Sequence, residues 1–226
     1  MPKLTNKQYR LNELITYYDT CNRAEGKSPR TISWYTSNLN YFQTYIKNRH
    51  IPDSLNSIDT KLLREYIIYL FKRVRFQDHP YTHAKSEPLS MATIHGHVRT
   101  LRAFFNWLLK DGITDLNIAK DIKPPKLPRK VISTLSDEEI RAILGLFDIK
   151  YYSGARNQAI FMLLLDTGLR IGEVVNLNLD DTHIDEGFLK VVGKGNKERL
   201  VPVGNNARKH YSVTCSASDQ IHLILR

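Results

Sequence analysis

The chain has 226 residues, and its 33 Lys and Arg against 23 Asp and Glu give a formal net charge of +10. With 42% hydrophobic and 25% charged residues, the composition is that of a globular protein and excludes a disordered one. The apolar run at residues 160–165 is far short of the roughly 20 residues that cross a bilayer, and the N-terminus lacks the apolar core of a secretory signal. Cys21 and Cys215 are too few for a disulfide framework, and neither has zinc-site neighbours. We therefore expect a cytoplasmic protein with no membrane contact and no bound metal.

The positive charge is concentrated in the first part of the chain. Residues 1–130 hold 22 basic and 11 acidic side chains, whereas residues 131–226 hold 11 and 12. A field of one sign on one part of a folded protein favours a polyanionic partner, and nucleic acid is the commonest polyanion. The alternative interpretation is a surface whose charge only maintains solubility.

Capping signals predict two long helices in the basic part. Ser28 followed by Pro29 is an N-cap with proline at the first helical position, and apolar residues then recur every three or four positions through residues 28–48. Ser90 opens a similar stretch, which ends where Asp-Gly follows at residues 111–112.

Two further helices complete the predicted N-terminal unit. Asp59 can cap an amphipathic helix, and another helix is expected near residues 9–18. The polar stretch at residues 75–88 contains two prolines and little periodicity, so it predicts a loop. We therefore expect a four-helix domain over residues 1–119. Its aromatic side chains are predicted to lie in the core: Trp34, Tyr35, Phe42, Phe104, Phe105 and Trp107.

A linker and a smaller second domain are predicted to follow. Residues 120–133 contain three prolines and five basic residues, a composition typical of an extended, semi-rigid spacer. The Ser-Asp-Glu-Glu sequence at residues 136–139 is a capping box that opens the second domain, predicted over residues 134–206. A buried helix at 156–166 and a short helix at about 170–176 are expected there. Valine-rich and leucine-rich stretches at 188–192 and 199–203 predict a β-hairpin, and residues 207–226 form an atypical tail.

The segment Asp-Thr-Gly-Leu-Arg-Ile-Gly-Glu, residues 166–173, places an arginine directly after a glycine break. At the first turn of a short helix, the planar guanidinium of Arg170 can bind a phosphate through two parallel hydrogen bonds. Glu173 lies three residues on and shares the same helical face. Taken alone, this pair is more simply interpreted as an ordinary surface ion pair.

The segment Gly-Lys-Gly-Asn-Lys-Glu-Arg, residues 193–199, places Lys194 between two glycines at a predicted hairpin turn. The glycines permit close approach of the backbone to another molecule, and the ammonium group can reach into a groove. Taken alone, Lys194 is more simply interpreted as a solvated turn residue.

In combination, the two segments resemble the tyrosine recombinases, or phage-type integrases, which include the Xer-like enzymes. In that family, T-G-L-R-x-x-E carries the first catalytic arginine and G-K-G-x-K-x-R carries the catalytic lysine. Arg170 and Lys194 stand 24 residues apart here, which matches the family's arrangement. The resemblance covers residues 8–206. It implies a mainly α fold with a four-helix SAM-like core-binding domain, followed by a partial α+β catalytic domain with a β-hairpin.

The resemblance implies site-specific strand exchange on double-stranded DNA without metal or nucleotide cofactor. A tyrosine hydroxyl attacks the phosphodiester and forms a phosphotyrosyl intermediate. By matching position, Arg170 stabilises the charge on the phosphate, Glu173 supports it, and Lys194 protonates the leaving oxygen. The partners implied are DNA and other recombinase protomers on it. The side chains expected to contact DNA are Lys120, Lys123, Lys126, Arg129, Lys130, Lys197 and Arg199.

Part of the family pattern cannot be identified. The family requires a His-x-x-Arg segment and a nucleophilic tyrosine near the C-terminus. His222 and Arg226 are four residues apart, and Tyr211, the one tyrosine after Arg170, has no matching context. We therefore expect a truncated recombinase that binds DNA but does not cleave it alone. The alternatives are a regulatory or dominant-negative partner of a full-length recombinase, and an enzyme that receives its nucleophile from another protomer.

Overall fold

The computed structural model describes residues 9–77, 81–128, 131–193 and 195–208. It divides into two compact units, Met1–Val131 and Ile132–Arg226, which we name the helical unit and the mixed unit. Within the described ranges, no helix combines the length and apolar character needed to cross a membrane.

The helical unit contains the four predicted helices. Ser28, Asp59 and Ser90 each accept a hydrogen bond from the backbone N–H three residues on, so the predicted N-caps are confirmed. The first helix continues six residues beyond its predicted end. The bounds are α1 Leu11–Ala24, α2 Pro29–Asn48, α3 Thr60–Lys72 and α4 Met91–Lys110, with a short 3-10 turn at Leu55–Ser57.

The core of the helical unit draws apolar side chains from all four helices. Phe42, Phe104 and Phe105 are fully buried, as predicted. The expectation for Trp34 was wrong, because its side chain lies on the outer surface of α2 and is 42% exposed. It packs over Gly96 of α4, where a Cβ atom would lie 3.0 Å from the indole ring. Trp34 lies beside the apolar face of α2, so in the structure it borders the core without entering it.

The segment between α3 and α4 is more regular than the predicted loop. Val74 and Pro88 form an antiparallel bridge, and the Arg75 backbone N–H donates to the Glu87 carbonyl at 2.8 Å. The Arg75 guanidinium also pairs with the Glu87 carboxylate at 2.8 Å. The sequence shows no alternation of apolar residues here, because most of the described residues of this segment are exposed to solvent.

The first residues of the predicted linker pack on the helical unit. Ile122 of the predicted linker is buried in the core of this unit, together with Ala119 just before the linker. His95 Nδ1 on α4 lies 2.9 Å from the Pro125 carbonyl oxygen, within hydrogen-bond distance. Residues 119–125 are therefore held against α4. The proline-rich composition predicted an extended spacer and gave no indication of this packing.

The described part of the mixed unit contains three α-helices, a short 3-10 turn at Leu179–Asp181 and a three-stranded antiparallel sheet in the order β1-β2-β3. The predicted capping box between Ser136 and Glu139 and the predicted hairpin are confirmed, and the short strand β1 was not foreseen. The helix expected to be buried, α6, buries only Ala159 and Leu163. The bounds are α5 Asp137–Leu144, α6 Tyr152–Thr167, α7 Ile171–Val175, β1 Thr182–His183, β2 Phe188–Val192 and β3 Glu198–Pro202.

Candidate functional site

A tight turn brings Arg170 to the surface at the start of α7. Helix α6 ends at Gly168, whose φ of 63° is the left-handed conformation that glycine adopts without strain. The next side chain, Leu169, is buried in the core of the mixed unit. With the chain anchored on both sides of the turn, Arg170 becomes the N-cap of α7 and its side chain is 77% exposed.

Glu173 is the buried centre of an ion network. Its side chain is only 7% exposed, and each carboxylate oxygen accepts two hydrogen bonds. Arg170 donates its backbone N–H to Oε2 at 2.9 Å and its Nη1 to Oε1 at 3.0 Å. Arg199 donates Nη1 to Oε1 and Nη2 to Oε2, both at 2.9 Å. The second interaction is a bidentate fork, the strongest geometry for an arginine and a carboxylate.

The alternation of the hairpin explains why Arg199 reaches Glu173. Arg199 pairs with Val191 across the two strands, and Val201, two residues on, is buried on the same face. Arg199 therefore projects toward the core side of the sheet. Gly193 makes room for it, because a Cβ atom there would lie 3.1 Å from Arg199 Nη1 and 3.5 Å from Glu173 Oε1.

The two arginines fix the charge of the network. The hydrogen bonds from Arg199, followed by the Arg170 backbone N–H, lower the pKa of Glu173 to about 2. The same carboxylate raises the pKa of Arg199. Because two guanidinium groups share one carboxylate, the network keeps a net charge of +1. Its most exposed member is Arg170, at 77% against 42% for Arg199, so positive charge faces solvent.

The hairpin turn that follows Gly193 is closed by backbone geometry. The Gly193 N–H donates to the Lys197 carbonyl at 2.8 Å, and Gly195 and Asn196 both adopt positive φ. The Lys197 side chain is exposed. Lys194 lies outside the described residues, so its predicted role stays a prediction. The structure brings Arg170, Glu173 and Arg199 together. The contact between Arg199 and Glu173 was not predicted from the sequence.

A second positive surface lies on the helical unit. Its cations are Arg99 and Arg102 on the outer face of α4 and Lys120 on the segment that follows, and all three are exposed. They line a shallow depression without an acidic side chain, together with Trp34, Tyr35, Ala103, Asn106 and Asn117. We name this depression the α4 basic surface.

The predicted linker lysines continue along the helical unit. Lys123 and Lys126 are exposed on either side of the prolines that His95 holds against α4. Arg129 and Lys130 lie outside the described residues, as do Tyr211, His222 and Arg226. Sequence reasoning missed Arg99 and Arg102, although their spacing of three on a helix with one buried face could have indicated a shared exposed face.

Among the described residues, no group of His, Cys, Asp and Glu side chains is arranged to hold a metal ion. Arg170 presents a guanidinium held by a carboxylate, which suits recognition of a phosphate oxygen pair. A pattern of exposed cations and an outward-facing arginine is typical of proteins that bind nucleic acid.

Two sequence profiles match the chain. The phage integrase SAM-like domain matches residues 12–123, and the phage integrase family matches residues 133–224. A SAM-like helical unit followed by a mixed unit that carries the arginine site thus defines an integrase-type protein. Together the two matches span both units.

Curated relatives identify the branch of that class. The chain is 32% identical over 186 residues to the tyrosine recombinase XerD of Oceanobacillus iheyensis, covering 82% of this chain and 57% of that protein. It is 29% identical to the tyrosine recombinase XerC of Staphylococcus carnosus, covering 80% of this chain and 56% of that protein. The chain therefore belongs to the tyrosine recombinase family and is Xer-like. It spans somewhat more than half the length of these relatives.

Solved structures share the fold at low sequence identity. A lambda integrase tetramer bound to a Holliday junction matches with a TM-score of 0.67 and 18% identity, covering 96% of this chain and 60% of that one. The Tn1549 transposon integrase in complex with a circular intermediate DNA matches with a TM-score of 0.65 and 14% identity, covering 94% and 66%. The predicted fold class, mainly α with a small α+β unit, is confirmed.

Proposed function

We propose that the chain binds double-stranded DNA as part of a site-specific recombination system and holds a backbone phosphate with Arg170. The observation that carries the proposal is the exposed guanidinium of Arg170 fixed on the buried carboxylate of Glu173. A prepositioned guanidinium loses little entropy on binding a phosphate, and its fork matches two phosphate oxygens. In a complete recombination reaction this contact stabilises the charge that develops on the phosphate, and its loss costs on the order of 10² to 10³ in rate.

Most of the DNA affinity comes from the helical unit in this proposal. The α4 basic surface and the exposed lysines Lys123 and Lys126 supply positive charge along one ordered stretch of chain. Lysines and arginines that neutralise phosphates release counterions, so affinity falls as salt rises. The DNA present in the lambda integrase and Tn1549 integrase structures supports this assignment of partner. The remaining predicted contacts, Arg129, Lys130 and Lys197, belong to the same proposal.

Fluorescence anisotropy with a labelled DNA duplex tests DNA binding. About six phosphate contacts predict a slope near −5 in a plot of log affinity against log salt. The double variant R99Q/R102Q should reduce the magnitude of that slope by about two.

The matched control is K61Q/R64Q, which removes two exposed cations at the same spacing from α3. This control should leave the slope near that of the parent protein. An affinity that does not change with salt, or an equal effect of the two double variants, would contradict the proposal.

We propose further that this chain binds DNA without cleaving it. The sequence retains the phosphate-binding arginine, while no tyrosine stands in the family's nucleophile context. The same observation favours the second candidate function, a regulatory or dominant-negative partner that occupies recombination sites beside a full-length recombinase.

Coexpression with an intact Xer-type recombinase tests the regulatory function. Scored recombination should fall, and R99Q/R102Q should restore it because the chain then leaves the DNA. Undiminished recombination with the parent chain bound to the sites would exclude a dominant-negative role.

A further inference from the structure

The contacts of Arg199 indicate a role other than direct contact with DNA. Both of its terminal nitrogens are directed to Glu173, and its pairing across the hairpin places it on the core side of the sheet. The fork that faces Glu173 is therefore not available to a phosphate, although three of the five N–H donors remain and the side chain is 42% exposed. Its geometry is explained by Glu173, 26 residues earlier in the chain.

Arg199 also determines the charge that Arg170 presents. If Arg199 were neutral, Glu173 would form a one-to-one pair with Arg170, and the net charge of the network would fall from +1 to zero. The carboxylate would then compete with an incoming phosphate for the Arg170 guanidinium. With Arg199 present, the carboxylate is already neutralised from its core side, so Arg170 keeps its attraction for anions.

A second ion pair on the same hairpin provides the contrast. Lys190 and Glu198 lie 3.1 Å apart on the outer face of the sheet, and both side chains are substantially exposed. An exposed ion pair of this kind contributes little to the free energy of folding. It lies on the opposite face from Glu173, so it stabilises the same strands without contacting the arginine network.

We propose that Arg199 is a positioning residue that holds Glu173 from the hairpin side and thereby fixes the direction and charge of Arg170. The proposal deepens the proposed function, since it names what prepares Arg170 for a phosphate. It also explains why an arginine stands five residues after Lys194: the arginine ties the hairpin that carries the lysine to the helix that Arg170 caps. Gly193 contributes to this arrangement, because a Cβ atom there would crowd Arg199 Nη1 at 3.1 Å.

NMR spectroscopy of the full chain tests the proposal with three variants, R199Q, R199K and K190Q. R199Q and K190Q each remove one positive charge from the hairpin, but only R199Q removes a side chain that contacts Glu173. The first readout is the titration of the Glu173 carboxyl carbon. Its pKa should rise in R199Q, rise less in R199K, and stay unchanged in K190Q, because the hydrogen bonds from Arg199 are the main cause of the lowered value.

The second readout is the response of the Arg170 side-chain nitrogen signals, assigned with R170K, to inorganic phosphate. The apparent phosphate affinity should fall at least about tenfold in R199Q, as expected for a lost charge-assisted contact. R199K should recover part of the loss, since lysine restores the charge but not the fork. K190Q should match the parent protein. A phosphate response in R199Q equal to that of the parent, or an equal loss in K190Q, would overturn the proposal.

The design separates this inference from the proposed function. If Arg170 of the parent protein does not respond to phosphate, the phosphate-binding function is contradicted. The positioning role is then decided by the Glu173 titration, in which the pKa should rise in R199Q and stay unchanged in K190Q. An unchanged Glu173 pKa in R199Q would overturn it. If R199Q does not fold, R199K carries the test: an unchanged Glu173 titration in that variant would contradict the proposal.

Discussion

The helical unit and the mixed unit bury their apolar side chains to very different extents. In the helical unit, large rings such as Phe42, Tyr66 and Phe104 are fully enclosed. In the mixed unit, α5 buries none of its residues, and Ile171 of α7 and Leu200 of β3 are largely exposed. The first unit is therefore stabilised mainly by a filled hydrophobic core. The second combines a small core with the ion network around Glu173.

The largest effect should come from the filled core. Phe104→Ala removes a ring with no exposed surface, and we expect it to lower the free energy of unfolding of the helical unit by about 3–5 kcal/mol. Both tryptophans, Trp34 and Trp107, lie in this unit, so tryptophan fluorescence during urea unfolding reports on it specifically.

The control for Phe104→Ala is Leu116→Ala, a truncation at an exposed position of the same unit. It should change the free energy of unfolding by less than about 0.5 kcal/mol. A cost below about 1 kcal/mol for Phe104→Ala would contradict the view that a tightly packed core holds the helical unit.

The second prediction concerns pH, to which the two units should respond differently. Burial, assisted by Arg73, lowers the pKa of His97 to about 4, and His97 Nδ1 lies 3.1 Å from the Tyr66 hydroxyl. In the unfolded chain the imidazole of His97 binds its proton near pH 6.5, so above that pH protonation does not reduce the stability of the helical unit. The free energy of unfolding of this unit should fall by about 3 kcal/mol as the pH is lowered to 4.

Urea unfolding followed by tryptophan fluorescence from pH 7 to pH 4 checks the pH prediction. His97→Gln should remove most of this dependence. In the same interval Glu173 stays ionised, because its pKa is about 2, so the ion network of the mixed unit should persist. An unchanged pH dependence in His97→Gln would show that other groups are responsible.

The smallest effect should come from helix caps. Ser90→Ala removes the N-cap of α4, a packed helix, and should cost the helical unit about 1 kcal/mol of global stability. Ser136→Ala removes the capping box of α5, which contributes no buried side chain. Its expected effect is local fraying, visible as faster amide exchange within α5. Equal global losses for both variants would mean that α5 is integrated into its unit more firmly than its burial indicates.

Local signals in the sequence were sufficient to predict most of the fold. Ser28, Asp59, Ser90 and Ser136 mark helix starts because an N-cap depends only on the next three residues, and the structure places each cap as expected. The hairpin followed from its alternation and glycine turn.

What escaped sequence analysis depends on contacts between distant residues. The bond from Arg199 to Glu173 joins residues 26 positions apart, and the contact between His95 and Pro125 joins residues 30 positions apart. No periodicity encodes either pairing. Arg170 and Glu173 were identified from a family motif, whereas the charged fork that holds them became visible only once the strand register was known.

We propose that this chain binds DNA through its cations and Arg170 without breaking a strand. The most direct measurement incubates it with a nicked duplex that traps any covalent protein–DNA adduct, and analyses the products on native and denaturing gels. We expect a salt-sensitive complex on the native gel and no adduct on the denaturing gel. A covalent adduct, or the absence of any complex at low salt, would contradict it.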